Sequence, residues 1–302
     1  MNELKALVKR NTKLFFKDKG TFFTALITPL ILLFLYIAFL GGLYHDMFEE
    51  QLKGMGQGVT VSQGLVDALV GGQLFSSLLA VCCVTVAFCS NMQMVNDKVT
   101  GSRFDLNMTP VKKSIMAWGY YISTAVTTLI VTFLAIAACL IYVALTGWYL
   151  SLTDILLVMA DVFLLTMFGT ALSSIVNVFL SSQGQISAVG TIVSAAYGFI
   201  CGAYMPISQF NNTLQTIISF LPGTYGTALL RKHTMSGAFA ELEAIGFNSA
   251  AVDGMRDMVD SNIYFFDHKV PEVAMFLVLG GSVVLLIAIY VVINILKNRK
   301  PN

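Results

Sequence analysis

The sequence predicts an all-α polytopic membrane protein with six transmembrane helices, an N-terminal amphipathic helix, a short helix in a cytoplasmic loop and a re-entrant or interfacial helix after the fifth span. Three observations support this fold class. Hydrophobic residues make up 56% of the 302 positions and charged residues only 12%, too few to cover a soluble protein of this size. Several apolar runs are long enough to cross the ~30 Å hydrocarbon layer. Lys and Arg are concentrated in alternate connecting segments.

Residues 2–20 are the first element, a basic amphipathic helix. On a helical wheel at ~100° per residue, one face is apolar and the opposite face carries lysines four positions apart. The apolar face comprises Leu4, Leu7, Val8, Leu14 and Phe15, and the basic ridge comprises Lys5, Lys9, Lys13 and Lys17. Helices of this kind lie at a membrane surface. We therefore expect this helix at the cytoplasmic face of the bilayer.

Apolar runs between turn signals predict the membrane spans. The first run, from Phe22 to Leu40, contains no charged residue and, at ~1.5 Å per residue, covers the hydrocarbon layer. The six predicted spans are residues 22–41, 72–95, 115–146, 154–180, 186–205 and 272–296. The third is longer than a bilayer requires, so we expect it to tilt or to project into water.

The distribution of Lys and Arg predicts the orientation. Six of these residues precede the first span and four lie between the second and third spans. The positive-inside rule therefore places both termini in the cytoplasm. Residues 206–271 are expected outside, since the four cations in a segment of this length have little influence on topology. Residues 1–302 are expected to form one transmembrane domain in the plasma membrane of a bacterial cell.

The cytoplasmic segment 97–110 contains more than turn residues. Charged residues alternate with Phe104 and Leu106, and the segment ends at Pro110, which forces a chain break. Apolar side chains in such a loop have no membrane to bury them. We therefore predict a short helix that is presented to a cytosolic partner.

A second unusual segment follows the fifth span on the outer side. Apolar residues recur there at helical spacing, at Leu214, Ile217, Ile218 and Leu221, before Pro222. The run is too short to cross the bilayer. It is typical of a re-entrant or interfacial helix that lies back against the bundle.

The motifs in these two segments resemble those of the permease subunits of ABC-2 type exporters. The cytoplasmic motif of that family has the form E-R-x-x-G-[TS]…L…T-P, and this chain has Asp97-Lys98-Val99-Thr100-Gly101-Ser102, Leu106 and Thr109-Pro110. The family's exit from span 5 has the form P-[IL]-x-x…L-P-x-x-[YF], and this chain has Met205-Pro206-Ile207-Ser208 and Leu221-Pro222-Gly223-Thr224-Tyr225. The resemblance covers nearly the whole chain. Asp97 in place of Glu, and Asn211-Asn212 in place of a proline, affect the assignment of a subfamily.

The resemblance implies a membrane subunit that is not itself an enzyme. No Gly is followed by Lys in the sequence, so a P-loop of the form G-x-x-x-x-G-K-[ST] is impossible. ATP and Mg²⁺ are then expected on two copies of a separate ATP-binding subunit, with no cofactor on this chain, and a second permease copy is expected to complete a homodimer. The resemblance assigns coupling to the ATP-binding subunit to Asp97, Gly101, Arg103, Phe104, Asp105, Leu106 and Pro110. It assigns the outer re-entrant motif to Pro206, Leu221, Pro222 and Tyr225.

The fifth span carries small residues at every fourth position, which lets another helix approach closely. These residues are Gly190, Ser194, Gly198 and Gly202, and the second span has a related face that includes Ser76, Ala80 and Asn91. The ridge is explained either by packing within one chain or by a position at the dimer axis or beside the substrate route. The sequence leaves both interpretations open.

Asp161 is the one carboxylate predicted within the hydrocarbon layer, where an aspartate costs roughly 2.5–3.5 kcal/mol. It is interpreted either as a contact for a cationic substrate or a proton, or as a buried carboxylate bonded to Thr127 or Thr128. The histidines, His45, His233 and His268, are isolated in predicted outer segments and are interpreted as solvated loop residues. No catalytic group and no metal site is therefore expected.

These features favour the permease half of an ATP-driven exporter that moves amphipathic drugs, antimicrobials or lipid-like compounds out of the cell by alternating access. The apolar walls disfavour a long polysaccharide, although export of a lipid-linked glycan is the closest alternative. A channel or a membrane scaffold without an ATPase is an alternative from a different class. The lipid bilayer is the expected environment, and no nucleic-acid partner is expected.

Overall fold

The computed structural model describes residues 2–55, 61–266 and 268–299, which form thirteen α-helices and one short β-hairpin. The first helices are α1 (Asn2–Lys17), α2 (Lys19–Leu35), α3 (Gly41–Met55), α4 (Gln63–Asn91), α5 (Gln93–Val99), α6 (Ser102–Asn107) and α7 (Lys113–Thr146). The others are α8 (Leu152–Phe179), α9 (Gln183–Ile200), α10 (Asn212–Ser219), α11 (Pro222–Ala244), α12 (Ser249–Met258) and α13 (Glu272–Arg299). Strands β1 (Tyr264–Phe265) and β2 (His268–Lys269) pair antiparallel. The predicted all-α class is confirmed; Asp267, in the predicted outer segment, lies outside the described residues.

Five helical segments of the described chain are long and apolar enough to cross a membrane. They are Lys19–Gly54, Gln63–Val99, Lys113–Thr146, Leu152–Phe179 and Glu272–Lys297. The predicted fifth span, α9, is not among them, so the count of six is not confirmed. This helix has 18 residues, begins with polar side chains and ends at Ile200, before a turn at Gly202 with a φ of 68°. At ~1.5 Å per residue its length is about 27 Å, slightly less than the hydrocarbon layer.

Helix α4 is the centre of the fold. Its apolar window is completely buried, and α2, α7, α8 and α11 pack around it. Small residues make this close packing possible: a Cβ atom added to Gly72 would lie 3.0 Å from the carbonyl oxygen of Thr234, and one added to Gly169 would lie 2.9 Å from that of Cys83. Close approach of this kind is how helices gain packing energy within a bilayer, where lipid competes for apolar contacts.

The first span is irregular in two places. Pro29 lies inside α2 and removes one backbone hydrogen bond, and a π-helical turn, Tyr36–Leu40, joins α2 to α3. Proline and π-turns are the usual causes of helix bends. The continuous helix from Lys19 to Gly54 therefore contains two points at which its halves can change direction.

Helix α11 was not anticipated within the predicted outer segment 206–271, where His233 was interpreted as a solvated loop residue. This helix starts at Pro222, whose missing N–H suits the first turn, and packs against α4, α8 and α13. Arg231 and His233 of this helix are 1% and 3% exposed. The interpretation of His233 as solvated is therefore wrong, because these polar side chains have buried partners.

Helix α1 is amphipathic, and its lysine ridge is exposed. Its apolar face packs on protein: Leu7 lies against Gly119 of α7, and the Asn11 amide donates to the Ser123 hydroxyl at 3.4 Å. Side-chain contacts bring several elements together at one end of the bundle. They are α1, α5, α6, the start of α7 and the ends of α8 and α13. We call this end of the bundle the basic end.

Candidate functional site

A buried carboxylate joins three helices at the basic end. Asp97 of α5 is 2% exposed and accepts two hydrogen bonds from Arg10 of α1, at 2.7 and 3.1 Å. It also accepts from the Tyr120 hydroxyl of α7 at 2.6 Å and from Gln93, one turn earlier in α5, at 2.8 Å. The hydrogen bond to Asp97 raises the pKa of Arg10 above its usual value, although partial burial opposes this. Asp97 therefore connects α5 directly to α1 and α7.

The segment 97–110 contains the end of α5 and the whole of α6, whereas the sequence predicted a single helix. The break falls at Gly101, whose φ of 81° is left-handed and favours glycine. Phe104 is 63% exposed and Met108 is 71% exposed, so this loop presents an apolar surface at the basic end. We call the segment 97–110 the coupling loop.

The other residues assigned to the coupling loop differ in exposure. Asp105 and Pro110 are exposed, whereas Leu106 and Arg103 are partly buried. Asp97 itself is buried, so it is not available as a direct contact for a partner. Its position instead ties the loop to the bundle.

A long groove runs between α2 and α9. It has a volume of about 910 Å³ and extends from Asp18 and Gln183 at the basic end to Leu35 and Tyr204 at the opposite end. Hydroxyl groups, including those of Thr24, Thr28, Thr191 and Ser194, alternate along it with apolar side chains. Asp18 is the only charged residue among the described residues that line it.

The small-residue ridge of α9 is divided between this groove and contacts within the chain. Gly190 and Ser194 line the groove. A Cβ atom on Gly198 would clash with the ring of Tyr204, and one on Gly202 would lie 3.0 Å from Asp260. Packing within the chain therefore explains the second half of the ridge. In the first half, Gly190 lies against the Met92 side chain at the edge of the groove, where an added Cβ atom would lie 2.6 Å from the Met92 methyl group.

The small-residue face predicted on the second span lies inside the chain. Ser76 and Ala80 are completely buried, and Asn91 is 1% exposed. The Asn91 amide donates to the hydroxyls of Ser173 and Ser174 on α8, at 3.0 and 2.9 Å. These residues hold α4 against its neighbours within the chain.

Asp161 has a partner that the sequence analysis did not identify. Its Oδ2 atom lies 2.6 Å from Nδ1 of His233, whose Nε2 atom lies 3.3 Å from Oε1 of Glu272. Lys232 in turn pairs with Glu272 at 2.8 Å. The predicted partners, Thr127 and Thr128, are not bonded to Asp161.

This chain of polar groups changes the chemistry of His233. Burial lowers the pKa of the imidazole, but the hydrogen bond and charge of Asp161, and then those of Glu272, outweigh burial and raise the pKa above its usual value. The interpretation of His233 as a solvated loop residue is wrong. The only sequence signal for this pairing was the isolated carboxylate in an apolar helix.

A second buried ion pair fixes the outer re-entrant motif. Arg231 donates to Asp260 at 3.2 Å and to the carbonyl oxygen of Gly202, and Asp260 also accepts from the backbone N–H of Ile207 at 2.6 Å. The Tyr225 hydroxyl donates to the carbonyl oxygen of Ser219 at 2.7 Å. Of the other residues of the motif, Pro206 is buried, Leu221 occupies the N-cap position of α11 and Pro222 is the first residue of that helix. The segment after α9 is thus locked against α11.

No group of three or more metal-ligating side chains occurs among residues 2–55, 61–266 and 268–299. The arrangement offers a groove that can hold a ligand and a loop that is mechanically linked to the helices at one end. A sequence profile of the ABC-2 type transporter family matches residues 2–234. No curated protein matches the chain. The matched region contains the coupling loop, both walls of the groove and the start of α11, and the chain is therefore a multi-pass membrane protein of the ABC-2 type transporter family.

Proposed function

We propose that this chain is the permease subunit of an ATP-driven exporter that moves amphipathic compounds through the groove between α2 and α9. It binds no nucleotide or cofactor itself. ATP and Mg²⁺ bind to a separate ATP-binding subunit, which docks at the basic end. Two such subunits and a second permease copy complete the transporter.

The observation that carries this proposal is the connection between the coupling loop and the helices. Phe104 and Met108 offer apolar surface to a docking protein. Asp97, at the start of the same loop, is bonded to Arg10 of α1 and to Tyr120 of α7. A displacement of the loop by the ATP-binding subunit is thus passed through rigid, hydrogen-bonded contacts to α1 and α7.

The same displacement can reach the groove. Helix α1 leads into α2 with only Asp18 between them, and Asp18 caps α2 by accepting from the backbone N–H of Thr21 at 3.2 Å. Helix α2 forms one wall of the groove, contains a bend point at Pro29 and is followed by a second bend point at Tyr36–Leu40. Movement of α1 would change the direction of α2 at these bends, which widens or closes the groove. This supports alternating access.

The lining of the groove supports an amphipathic substrate. Threonine and serine hydroxyls provide hydrogen bonds, aliphatic side chains provide apolar contact, and only Asp18 among the described lining residues is charged. An apolar cleft of about 890 Å³ lies on the other side of α2, bordered by α4 and α7. A compound with a small polar part and a large apolar part fits these surroundings better than a long glycan does.

The proposal is tested by purifying the chain together with its ATP-binding subunit. The variant with Phe104→Asp and Met108→Asp removes the apolar surface of the coupling loop without touching a span. We expect it to insert normally and to lose copurifying ATP-binding subunit. A matched control, Phe266→Asp, introduces the same charge at an exposed phenylalanine outside the candidate spans and the loop, and should retain the subunit.

Two results would contradict the proposal. One is normal recovery of the ATP-binding subunit with the double variant. The other is failure to recover any ATP-binding subunit with the unaltered chain, which would favour a channel or a membrane scaffold. Transport of a lipid-linked glycan, in preference to amphipathic dyes, would retain the ATP-driven mechanism and replace the substrate class.

A further inference from the structure

We propose that a basic cavity between α6, α8 and α13 binds the headgroup phosphate of an anionic phospholipid, with the first carbons of one acyl chain lying in the neighbouring cleft between α7 and α13 and the rest of the chain in the bilayer. The lipid would act as a bound component of the permease. It is distinct from any transported compound, and the inference stands independently of the substrate.

The cavity lies at the basic end and has a volume of about 230 Å³. Three cations line it: Lys98 of α5, Arg103 of α6 and Lys297 of α13. The Tyr120, Tyr290 and Asn294 side chains also line it. No carboxylate is among its lining residues in the described part of the chain, and the nearby Asp97 is already bonded to Arg10. The cavity therefore has an excess of positive charge.

The three cations have different numbers of free donors. Lys98 donates to the carbonyl oxygens of Asn177, Val178 and Leu180, which uses all three of its N–H groups to cap the end of α8. Lys297 donates once, to Val178, and so keeps two N–H groups.

Arg103 makes no hydrogen bond or ion pair with a described residue, although it is partly buried. A guanidinium with five donors, next to an ammonium with two, matches the oxygens of a phosphate.

The surroundings favour a lipid as the source of that phosphate. A smaller cleft of about 50 Å³ adjoins the cavity and shares Ala117, Tyr290 and Asn294 with it. Its other lining residues include Trp118 and Ile295, which are 37% and 48% exposed. Tryptophan is enriched at the boundary between headgroups and hydrocarbon. A polar basic cavity that continues into an apolar cleft between two spanning helices matches a phosphate joined to an acyl chain.

The test measures lipid binding to the full chain in detergent by native mass spectrometry. Phosphatidylglycerol and phosphatidylcholine with the same acyl chains are compared on the unaltered chain and on the variant with Arg103→Gln and Lys297→Gln. Both lipids carry the same phosphate, but phosphatidylcholine adds a cationic choline group, which the cations of the cavity repel. We therefore expect phosphatidylglycerol to bind about tenfold more tightly than phosphatidylcholine. The double variant should lose this preference, because it removes two of the three lining cations.

The matched control is Lys113→Gln, which removes an exposed lysine at the same end of the bundle but outside the cavity. It should leave the preference unchanged. If the double variant does not purify as a single species, Arg103→Gln alone is used, since that side chain bonds to no described residue. It should reduce the preference by several-fold.

Three results would overturn the proposal. Equal binding of the two lipids would show that charge does not select the ligand. Displacement of phosphatidylglycerol by an equal concentration of inorganic phosphate would assign the cavity to a free anion. Unchanged lipid binding, combined with loss of copurifying ATP-binding subunit in the variants, would assign Arg103 to a protein contact.

Discussion

Replacement of Asp97 by Asn should loosen the attachment of α1 to α5 and uncouple the transporter without unfolding it. Asparagine has nearly the same shape but carries no charge, and its Nδ2 atom cannot accept a hydrogen bond. The four hydrogen bonds that Arg10, Gln93 and Tyr120 donate to this carboxylate cannot all be retained. Helix α1 keeps its apolar contact with Gly119 of α7.

The expected magnitude follows from burial. Removing one partner of a buried ion pair typically costs about 3–5 kcal/mol. The Asp97 side chain is 3% exposed, but that of Arg10 is 32% exposed and can regain water, so we expect the lower end, about 3 kcal/mol. Since 1.4 kcal/mol is a factor of ten, the amides of α1 should exchange with solvent about 100-fold faster.

Hydrogen–deuterium exchange of the purified chain, read over α1, measures this change directly. A double-mutant cycle with Arg10→Gln isolates the contribution of the pair, and the second substitution should add little once Asp97 is gone. The matched control is Asp105→Asn, which removes an exposed carboxylate from the same loop. Equal exchange in the Asp97 and Asp105 variants, or additive effects in the cycle, would refute this account of the coupling loop.

Three further predictions concern other parts of the fold. Gly198→Leu should lower the yield of folded protein, because the leucine side chain would clash with the Tyr204 ring. A second substitution, Tyr204→Ala, should partly restore this yield. No restoration would show that the clash with Tyr204 is not the cause of the loss. Since its contacts raise the pKa of His233, the stability supplied by protonated His233 is complete below about pH 6.5 and is lost as the pH rises through the raised pKa. Thermal unfolding should therefore show a larger loss of stability with rising pH in the unaltered chain than in His233→Gln, with His268→Gln as the exposed control. Parallel curves for the unaltered chain and His233→Gln would exclude this effect. In a cysteine-free background, Ser249→Cys should react with an impermeant thiol reagent added outside intact cells, and absence of labelling would reverse the predicted orientation.

Hydropathy predicted the membrane helices well where apolar residues dominate. The run that starts at Phe22 lies within the helix Lys19–Gly54, and the fourth predicted span differs from α8 by a few residues at its start and one at its end. Helices that face lipid require long runs of apolar residues, so the sequence of such helices predicts them directly. The break at Gly101 could also be anticipated, because only glycine adopts a positive φ without strain.

Hydropathy could not predict α11, because this helix is stabilised by polar pairs instead of a uniformly apolar surface. Arg231 and His233 resemble loop residues until their partners are known. Those partners, Asp260 and Asp161, are separated from them by 29 and 72 positions. A single sequence contains no periodicity that links residues so far apart. The same limit applies to Asp97, because its partner Arg10 lies 87 positions away, next to Lys9 of the lysine ridge of α1.

The central claim is that the state of the ATP-binding subunit controls the groove between α2 and α9 through the coupling loop. It is tested most directly by the rate at which a thiol reagent modifies Ser194→Cys, a groove residue, in a chain from which the native cysteines, including Cys89 of the groove, have been removed. The rate is measured in the assembled transporter without nucleotide and with ATP and vanadate. The account predicts that the rate differs several-fold between these states, and that the difference disappears when Phe104 and Met108 are both replaced by Asp. The same rate in both states, or a difference that survives those substitutions, would contradict it.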